Sequence, residues 1–257
     1  MAGKIVVHEE GAVATVLFNR PEKKNAFDEE MIERLIGALG ELRARGTAHV
    51  VILRGAGEHF CAGRDPESAQ RQLQLGGYEL RQAYQMIVAL NEVLAGFPVP
   101  TVALVQGEAL GFGCGLAVRC DITLAAESAR LGFPEIHRGI PPTLVLSYLG
   151  RLISRKRALE LVLTGRQLDA AEAERIGLVS RVVPTGLLDK EGAELAAQLA
   201  GRNRLALQTC KAFFHETRDM GFEEAGRYGA SVLAAVATSK ELKEAMGAAL
   251  EGKGHGR

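Results

Sequence analysis

The chain has 257 residues, of which 47% are hydrophobic and 24% are charged, with 31 basic and 31 acidic side chains. This is the composition of an ordinary globular protein, and a chain of this length buries enough surface to need no disulfide framework. The net charge is zero, whereas nucleic-acid-binding proteins usually have an excess of basic residues, so we expect no nucleic acid as a partner. The sequence contains no stretch of about 18 uncharged apolar residues that would predict a membrane span, so we expect no membrane as a partner.

Short β-like runs alternate with helical ones over the first two thirds of the chain. Runs rich in Val, Ile, Leu and Thr, bounded by Gly, Pro or charged residues, predict strands over residues 5–8, 12–18, 50–55, 101–106 and 121–125. Apolar residues recur at helical spacing from Met31 to Leu42 behind acidic Asp28, which predicts a helix that starts there. A second helix is predicted over 78–94.

The pattern becomes almost wholly helical after Leu144. Ser154 and Asp169 are predicted N-caps, and Glu172 completes a capping-box pattern with Asp169. Further helices are predicted over residues 187–200, 205–220, 222–237 and 239–251. No low-complexity linker or internal repeat separates this helical tail, so we expect it to pack as a subdomain.

Three glycine-bearing segments follow predicted strands. They cover residues 59–65 (HFCAGRD), 107–115 (GEALGFGCG) and 131–142 (LGFPEIHRGIPP). Glycine at a strand end lets the backbone approach a ligand closely, and the second segment also leads into a helix start, where N–H groups are unpaired. Such donors suit a phosphate or a developing oxyanion. Neither a dinucleotide fingerprint nor a P-loop pattern is present.

In this order and spacing, the three segments resemble the crotonase family, the enoyl-CoA hydratase/isomerase superfamily. The likeness extends from Asn19-Arg20-Pro21 and Asn25-Ala26 to Val182-Val183-Pro184. It implies an α/β fold, a crotonase-like spiral of ββα units with a C-terminal helical trimerisation region. We predict a spiral core with the acyl-CoA site over residues 1–195, a helical region over 196–257, and a homotrimer or homohexamer.

The resemblance also implies how a substrate is held. The backbone N–H groups of Arg64 and Phe112 match the two donors that stabilise a thioester enolate in the family. The coenzyme A contacts are predicted at Lys24, Ala26, Ala62, Arg64 and Lys211, with the two lysines near phosphates. Coenzyme A is part of the substrate, so we expect no separate cofactor and no metal.

The catalytic carboxylates distinguish the reactions within the family. Hydratases there resemble one another in having two, but Gly115 occupies the first position here and only Glu135 remains. One carboxylate that moves a proton between two carbons is typical of a 3-enoyl-CoA to 2-enoyl-CoA isomerase, which is our leading prediction. Two alternatives stay open: a hydratase or lyase that uses Glu135 with or without Glu108, and an acyl-CoA-binding protein with little activity.

Other polar residues near these motifs have simpler interpretations. Asp65 precedes Pro66 and is predicted to cap a helix, and His137 either orients Glu135 or lies on a loop. The four cysteines lack disulfide or metal spacing, which predicts a reduced, cytoplasmic protein. We expect Cys61 and Cys114 to be buried and inert rather than nucleophilic.

Overall fold

The computed structural model describes residues 3–240 and 242–243, whose strands form two sheets. The strands are β1 (Ile5–Glu10), β2 (Val13–Phe18), β3 (Val50–Gly55), β4 (Thr101–Val105), β5 (Glu108–Leu110), β6 (Ile122–Ala126), β7 (Arg130–Gly132), β8 (Gln167–Asp169) and β9 (Arg181–Val183). The larger sheet has the order β1-β2-β3-β4-β6-β9 and is parallel except for the β1–β2 hairpin. The smaller sheet has the order β5-β7-β8.

Helices follow most strands and then make up the last part of the described chain. They are α1 (Glu29–Arg45), α2 (Pro66–Gln72), α3 (Gly77–Ala95), α4 (Phe112–Arg119), α5 (Thr143–Leu152), α6 (Arg155–Thr164), α7 (Ala170–Arg175), α8 (Leu188–Ala200), α9 (Arg204–Glu216) and α10 (Phe222–Ala237). A short 3-10 helix covers Pro134–Arg138. The predicted α/β class and the C-terminal helical region are therefore both observed. No helix within the described residues is long and apolar enough to cross a membrane.

The larger sheet is buried on both faces, which explains the continuous apolar runs of its central strands. Alternate residues of β3 and β4 point to opposite sides: Val51 and Ala103 join the cluster that contains α1, while Ile52 and Leu104 pack with Leu188 of α8. This packing on both faces holds in place the strands that lead into the glycine-bearing segments.

All five predicted strands are observed with boundaries within two residues, and the helices predicted at 31–42 and 78–94 correspond to α1 and α3. Strands β5, β7, β8 and β9 were not predicted, because three residues are too few to show an alternating pattern. Asp65 and Asp169 cap α2 and α7 as predicted. Ser154 occupies the N-cap position of α6 without a side-chain hydrogen bond. Glu172 binds Arg166 rather than closing a capping box.

The C-terminal helices differ from the rest of the fold in their burial. Residue 195, the predicted domain boundary, lies inside α8, which packs on the larger sheet. By contrast, neither α9 nor α10 contains a fully buried residue. The helix predicted over 239–251 lies mostly outside the described residues, and the division into two domains stays a prediction.

Candidate active site

The three glycine-bearing segments meet at one cleft of about 830 Å³. Its floor is formed by the backbone around Gly63 and Gly111, and Glu135 faces it from the short 3-10 helix. Apolar side chains of α3, α4 and α5 form the wall, among them Ile87, Leu116, Leu144 and Val145. The segments that the sequence singled out thus lie together.

Tight backbone packing brings the first two segments into contact. The Cys61 N–H donates to the Glu108 carbonyl, the Leu110 N–H donates to the Cys61 carbonyl, and both distances are 3.0 Å. Where α4 begins, a Cβ atom on Gly113 would lie 2.1 Å from the Cys61 carbonyl oxygen. Any side chain at this position would separate the segments, so glycine is required there.

The amides of Arg64 and Phe112 are available to a ligand. The Phe27 N–H donates to the Gly63 carbonyl (2.8 Å) and the Asp65 N–H donates to the Phe27 carbonyl (2.9 Å), so in this parallel bridge the Arg64 amide points away from Phe27. Phe112 is the first residue of α4, where N–H groups have no intrahelical acceptor. Both residues line the cleft.

The side chains of the two donor residues are held against each other. The Arg64 guanidinium donates to Glu29 at 2.8 Å, and its Cζ lies 6.0 Å from the centroid of the Phe112 ring. The Phe27 ring also packs on Phe112, with 5.1 Å between the two ring centroids. This packing restrains the backbone that carries both N–H groups.

Glu135 lies beside this anion-binding backbone. A Cβ atom on Gly111, the residue before Phe112, would lie 2.7 Å from the Glu135 Oε1 atom. Oε2 is buried and has no hydrogen-bond partner within the described part of the chain. Burial raises the pKa of the Glu135 carboxyl, and nearby Arg138 only partly offsets this effect. A carboxyl in such a site can exchange a proton closer to neutral pH than an exposed one.

In the same cleft, the space at Gly115 is occupied by Tyr148 of α5. A Cβ atom on Gly115 would lie 2.8 Å from the Tyr148 hydroxyl oxygen. Arg119 holds the ring from behind, with its Cζ 4.9 Å from the ring centroid. Tyr148 was not predicted as a site residue, because an aromatic residue in an apolar helix has the pattern of an ordinary core residue.

Lys24, Ala26 and Ala62 lie together at one end of the cleft. The Ala62 N–H donates to the Lys24 carbonyl at 3.0 Å. Buried Asn25 organises this turn, since its amide donates to the carbonyls of Ala56 and His59 at 2.9 and 2.7 Å. The Lys24 ammonium pairs with Glu108 at 2.8 Å, so Glu108 acts here as a counter-ion.

Two residues considered from the sequence lie elsewhere. The Lys211 ammonium donates to Asp121 (2.6 Å) and to the Val99 carbonyl (3.0 Å), and Lys211 does not line the cleft. Its position within this chain does not support the predicted phosphate contact. His137 Nε2 lies 3.1 Å from the Gly165 carbonyl oxygen, which accepts a hydrogen bond from it, and this contact does not orient Glu135.

Three of the four cysteines are buried. Cys61, Cys114 and Cys120 are buried, and burial raises the pKa of the Cys61 and Cys120 thiols to about 12. The burial predicted for Cys61 and Cys114 is therefore observed, and it favours the protonated thiol at neutral pH. Across the described residues, no group of three or more His, Cys, Asp or Glu side chains is arranged to hold a metal ion.

Known proteins are similar to this chain over nearly its whole length. The profile of the enoyl-CoA hydratase/isomerase family matches residues 8–254. A Thermus thermophilus protein named provisionally as an enoyl-CoA hydratase is 36% identical over 243 residues, 95% of this chain and 96% of the relative. A short-chain-enoyl-CoA hydratase of Clostridium acetobutylicum is 30% identical, over 96% of this chain and 94% of its own. The crystal structure of enoyl-CoA hydratase from Bacillus anthracis has a TM-score of 0.90 at 32% identity, with 97% and 96% of the two chains covered.

Proposed function

The chain belongs to the enoyl-CoA hydratase/isomerase family, and on that premise we propose that it is an acyl-CoA enzyme that shifts the double bond of a 3-enoyl-CoA to the 2-position. The observation that carries this proposal is the single carboxylate beside the anion-binding backbone. Glu135 lies against Gly111, whereas Gly115, one helical turn further along α4, has no side chain.

The first step is removal of a proton from Cα of the thioester. Glu135 takes this proton, and the electron pair of the Cα–H bond moves into the thioester, which becomes a dienolate. The N–H groups of Arg64 and Phe112 stabilise the oxyanion, and two aimed amide dipoles in a site with little water contribute a few kcal/mol at the transition state. The start of α4 adds positive potential at the same point.

The second step returns the same proton to Cγ. The electron pair of the dienolate forms the new Cγ–H bond, the double bond lies between Cα and Cβ, and Glu135 is ionised again. Oε2 has no hydrogen-bond partner among the described residues, which supports this shuttle because that oxygen is available to carry the proton. No atoms are gained or lost.

The coenzyme A part of the substrate belongs at the other end of the cleft. There the backbone of Lys24, Ala26, Ala62 and Arg64 supplies polar groups for an adenine, and the Lys24 ammonium is available to a phosphate. Because Lys24 is paired with Glu108, a phosphate has to compete with that carboxylate.

Hydration of a 2-enoyl-CoA is the second candidate, favoured by the hydratase names of the relatives. It needs a group that takes a proton from water while another delivers one to Cα. Glu108 is the acid to test, although its ion pair with Lys24 supports a role as counter-ion.

One experiment separates the two reactions. The purified protein is incubated with a 3-enoyl-CoA and, separately, with a 2-enoyl-CoA in heavy-oxygen water, and the products are analysed by chromatography and mass spectrometry. Isomerisation changes the retention time of the 3-enoyl substrate at constant mass, and hydration adds labelled water to the 2-enoyl substrate. Binding without either change indicates an acyl-CoA-binding protein, and E135Q is the control for catalysis by Glu135.

A further inference from the structure

The hydroxyl of Tyr148 is a polar group without an assigned partner at the acyl end of the cleft. Tyr148 lines the cleft with 9% of its surface exposed, and its hydroxyl makes no hydrogen bond to any described residue. It lies where a side chain on Gly115 would be, facing the same cleft as Glu135. The site thus presents a phenol at a position where the family resemblance implies a carboxylate in hydratases.

Arg119 places a positive charge directly behind this phenol. Its guanidinium lies 4.9 Å from the Tyr148 ring centroid and donates to the Asn91 carbonyl at 3.0 Å. Arg119 is partly buried, and among the described residues its Nε has no hydrogen-bond partner and its guanidinium forms no ion pair. Asp121 acts on this charge only from beyond ion-pair distance, so the charge behind Tyr148 favours electron-rich groups in the cleft.

The surrounding wall makes the polar group distinctive. Among the residues that line the same cleft, Leu116, Ile87 and Val145 are apolar, whereas Tyr84 and Asn91 of α3 are polar. Burial raises the pKa of Tyr148, so the hydroxyl keeps its proton and acts as a donor. A purely aliphatic acyl chain against this wall would leave the donor unpaired, which weakens binding by about 10-fold.

We propose that Tyr148 contacts the acyl group and selects thioesters that carry a hydrogen-bond acceptor oxygen beyond Cα. The acceptor is either a neutral carbonyl or hydroxyl oxygen or a carboxylate, and the unpaired Arg119 charge suits both. This inference rests on the proposed function, because it assumes that the cleft binds an acyl-CoA with its acyl end between Glu135 and Tyr148.

Three thioesters with four-carbon acyl groups test it without turnover: butyryl-CoA, 3-oxobutyryl-CoA and succinyl-CoA. Calorimetry of the full chain should give tighter binding for at least one oxygen-bearing thioester than for butyryl-CoA. Tyr148→Phe should reduce that preference by about 3- to 10-fold for a neutral oxygen and by more for a carboxylate. Tyr78→Phe is the matched control, because Tyr78 is exposed and lies outside the cleft.

A second variant tests the same contact while retaining the tyrosine. Gly115→Ala places a methyl group 2.8 Å from the hydroxyl, so the hydroxyl has to move and the preference should fall as in Tyr148→Phe. If the native protein prefers butyryl-CoA, or if both variants keep the preference for oxygen, the role of Tyr148 is wrong. If the native protein binds none of the three thioesters, the proposed function fails as well.

Discussion

The Glu135 carboxylate and the backbone of Gly111 are in direct contact, since a Cβ atom on Gly111 would lie 2.7 Å from Oε1. Gly111 also precedes Phe112, whose amide is one of the two proposed oxyanion donors. One glycine therefore separates the proton-handling group from the anion-binding group. Its φ of 53° is a second reason for glycine, because L side chains rarely adopt this conformation.

Gly111→Ala should displace Glu135 and reduce turnover of a 3-enoyl-CoA by about 100-fold, because a shift of about 1 Å in a catalytic group costs that much. The measurement is kcat/KM together with the unfolding temperature. Gly11→Ala is the matched control: its φ is 57°, but no atom lies within 4 Å of the added Cβ. If both variants lost the same activity, backbone strain alone would explain the loss, and the displacement of Glu135 would be contradicted.

Glu135→Gln should lower isomerisation by at least about 100-fold, the usual contribution of a general acid–base group. In the native protein the rate should rise with pH, because Glu135 must be ionised to take the Cα proton. Since burial raises the pKa of Glu135, the midpoint should lie above the value of about 4.3 for an ordinary glutamate. A pH–rate profile with its midpoint at or below that value contradicts the assignment.

Glu135→Gln should also stabilise the folded protein at neutral pH. Glu135 binds its proton more tightly in the folded state, so the folded protein loses stability as the pH rises from the unfolded-state pKa through the raised folded-state pKa. Glutamine does not titrate. The gain in unfolding free energy of Glu135→Gln should be largest at neutral pH and vanish below about pH 4, as measured by urea denaturation at several pH values.

Much of this site was predictable because its parts are local in the sequence. The glycines at 111 and 113, the helix start at Phe112 and the carboxyl at 135 are visible as motifs, and their order carries the family resemblance. Tyr148 was not predictable in this way. Its position against Gly115 depends on how α5 packs on α4, a contact between residues far apart in the chain.

The short strands and Lys211 show the same limit. Strands β5, β7 and β8 have three residues each, and only their mutual pairing makes them a sheet. For Lys211, the phosphate contact stays a prediction, because within this chain its ammonium donates to Asp121 and the Val99 carbonyl. Local sequence does not specify which of several carboxylates or carbonyls a long side chain will reach.

A thiol-specific reagent should modify no more than one cysteine in the native protein. Cys61, Cys114 and Cys120 are buried and protonated, and only Cys210 is exposed. Four thiols should react in urea, and modification of the native protein should leave activity unchanged. The matched variant Cys210→Ser should give no reaction in the native state; a second fast thiol would contradict the packing of the cleft.

The helices α9 and α10 should be covered by other copies of the chain. Phe222 is 94% exposed and Phe214 is 81% exposed, which is unusual for large apolar side chains. We expect light scattering to give three or six chains per particle, and Phe222→Ser to shift that mass downward. Leu73→Ser is the control, since Leu73 is 75% exposed but lies after α2. A monomeric native protein contradicts the prediction.

Lys24 and Glu108 should have opposite effects on coenzyme A binding. Lys24→Met should raise KM for an acyl-CoA by about 3- to 10-fold, the usual loss for one charge-assisted contact at an accessible site. The matching acyl-pantetheine lacks the nucleotide phosphates, so its KM should not change. Glu108→Gln frees the Lys24 ammonium, now paired with Glu108 at 2.8 Å, so KM for the acyl-CoA should fall while kcat stays constant. If Glu108→Gln instead abolishes addition of water to a 2-enoyl-CoA at constant KM, Glu108 is a catalytic acid and hydration is the reaction of this site.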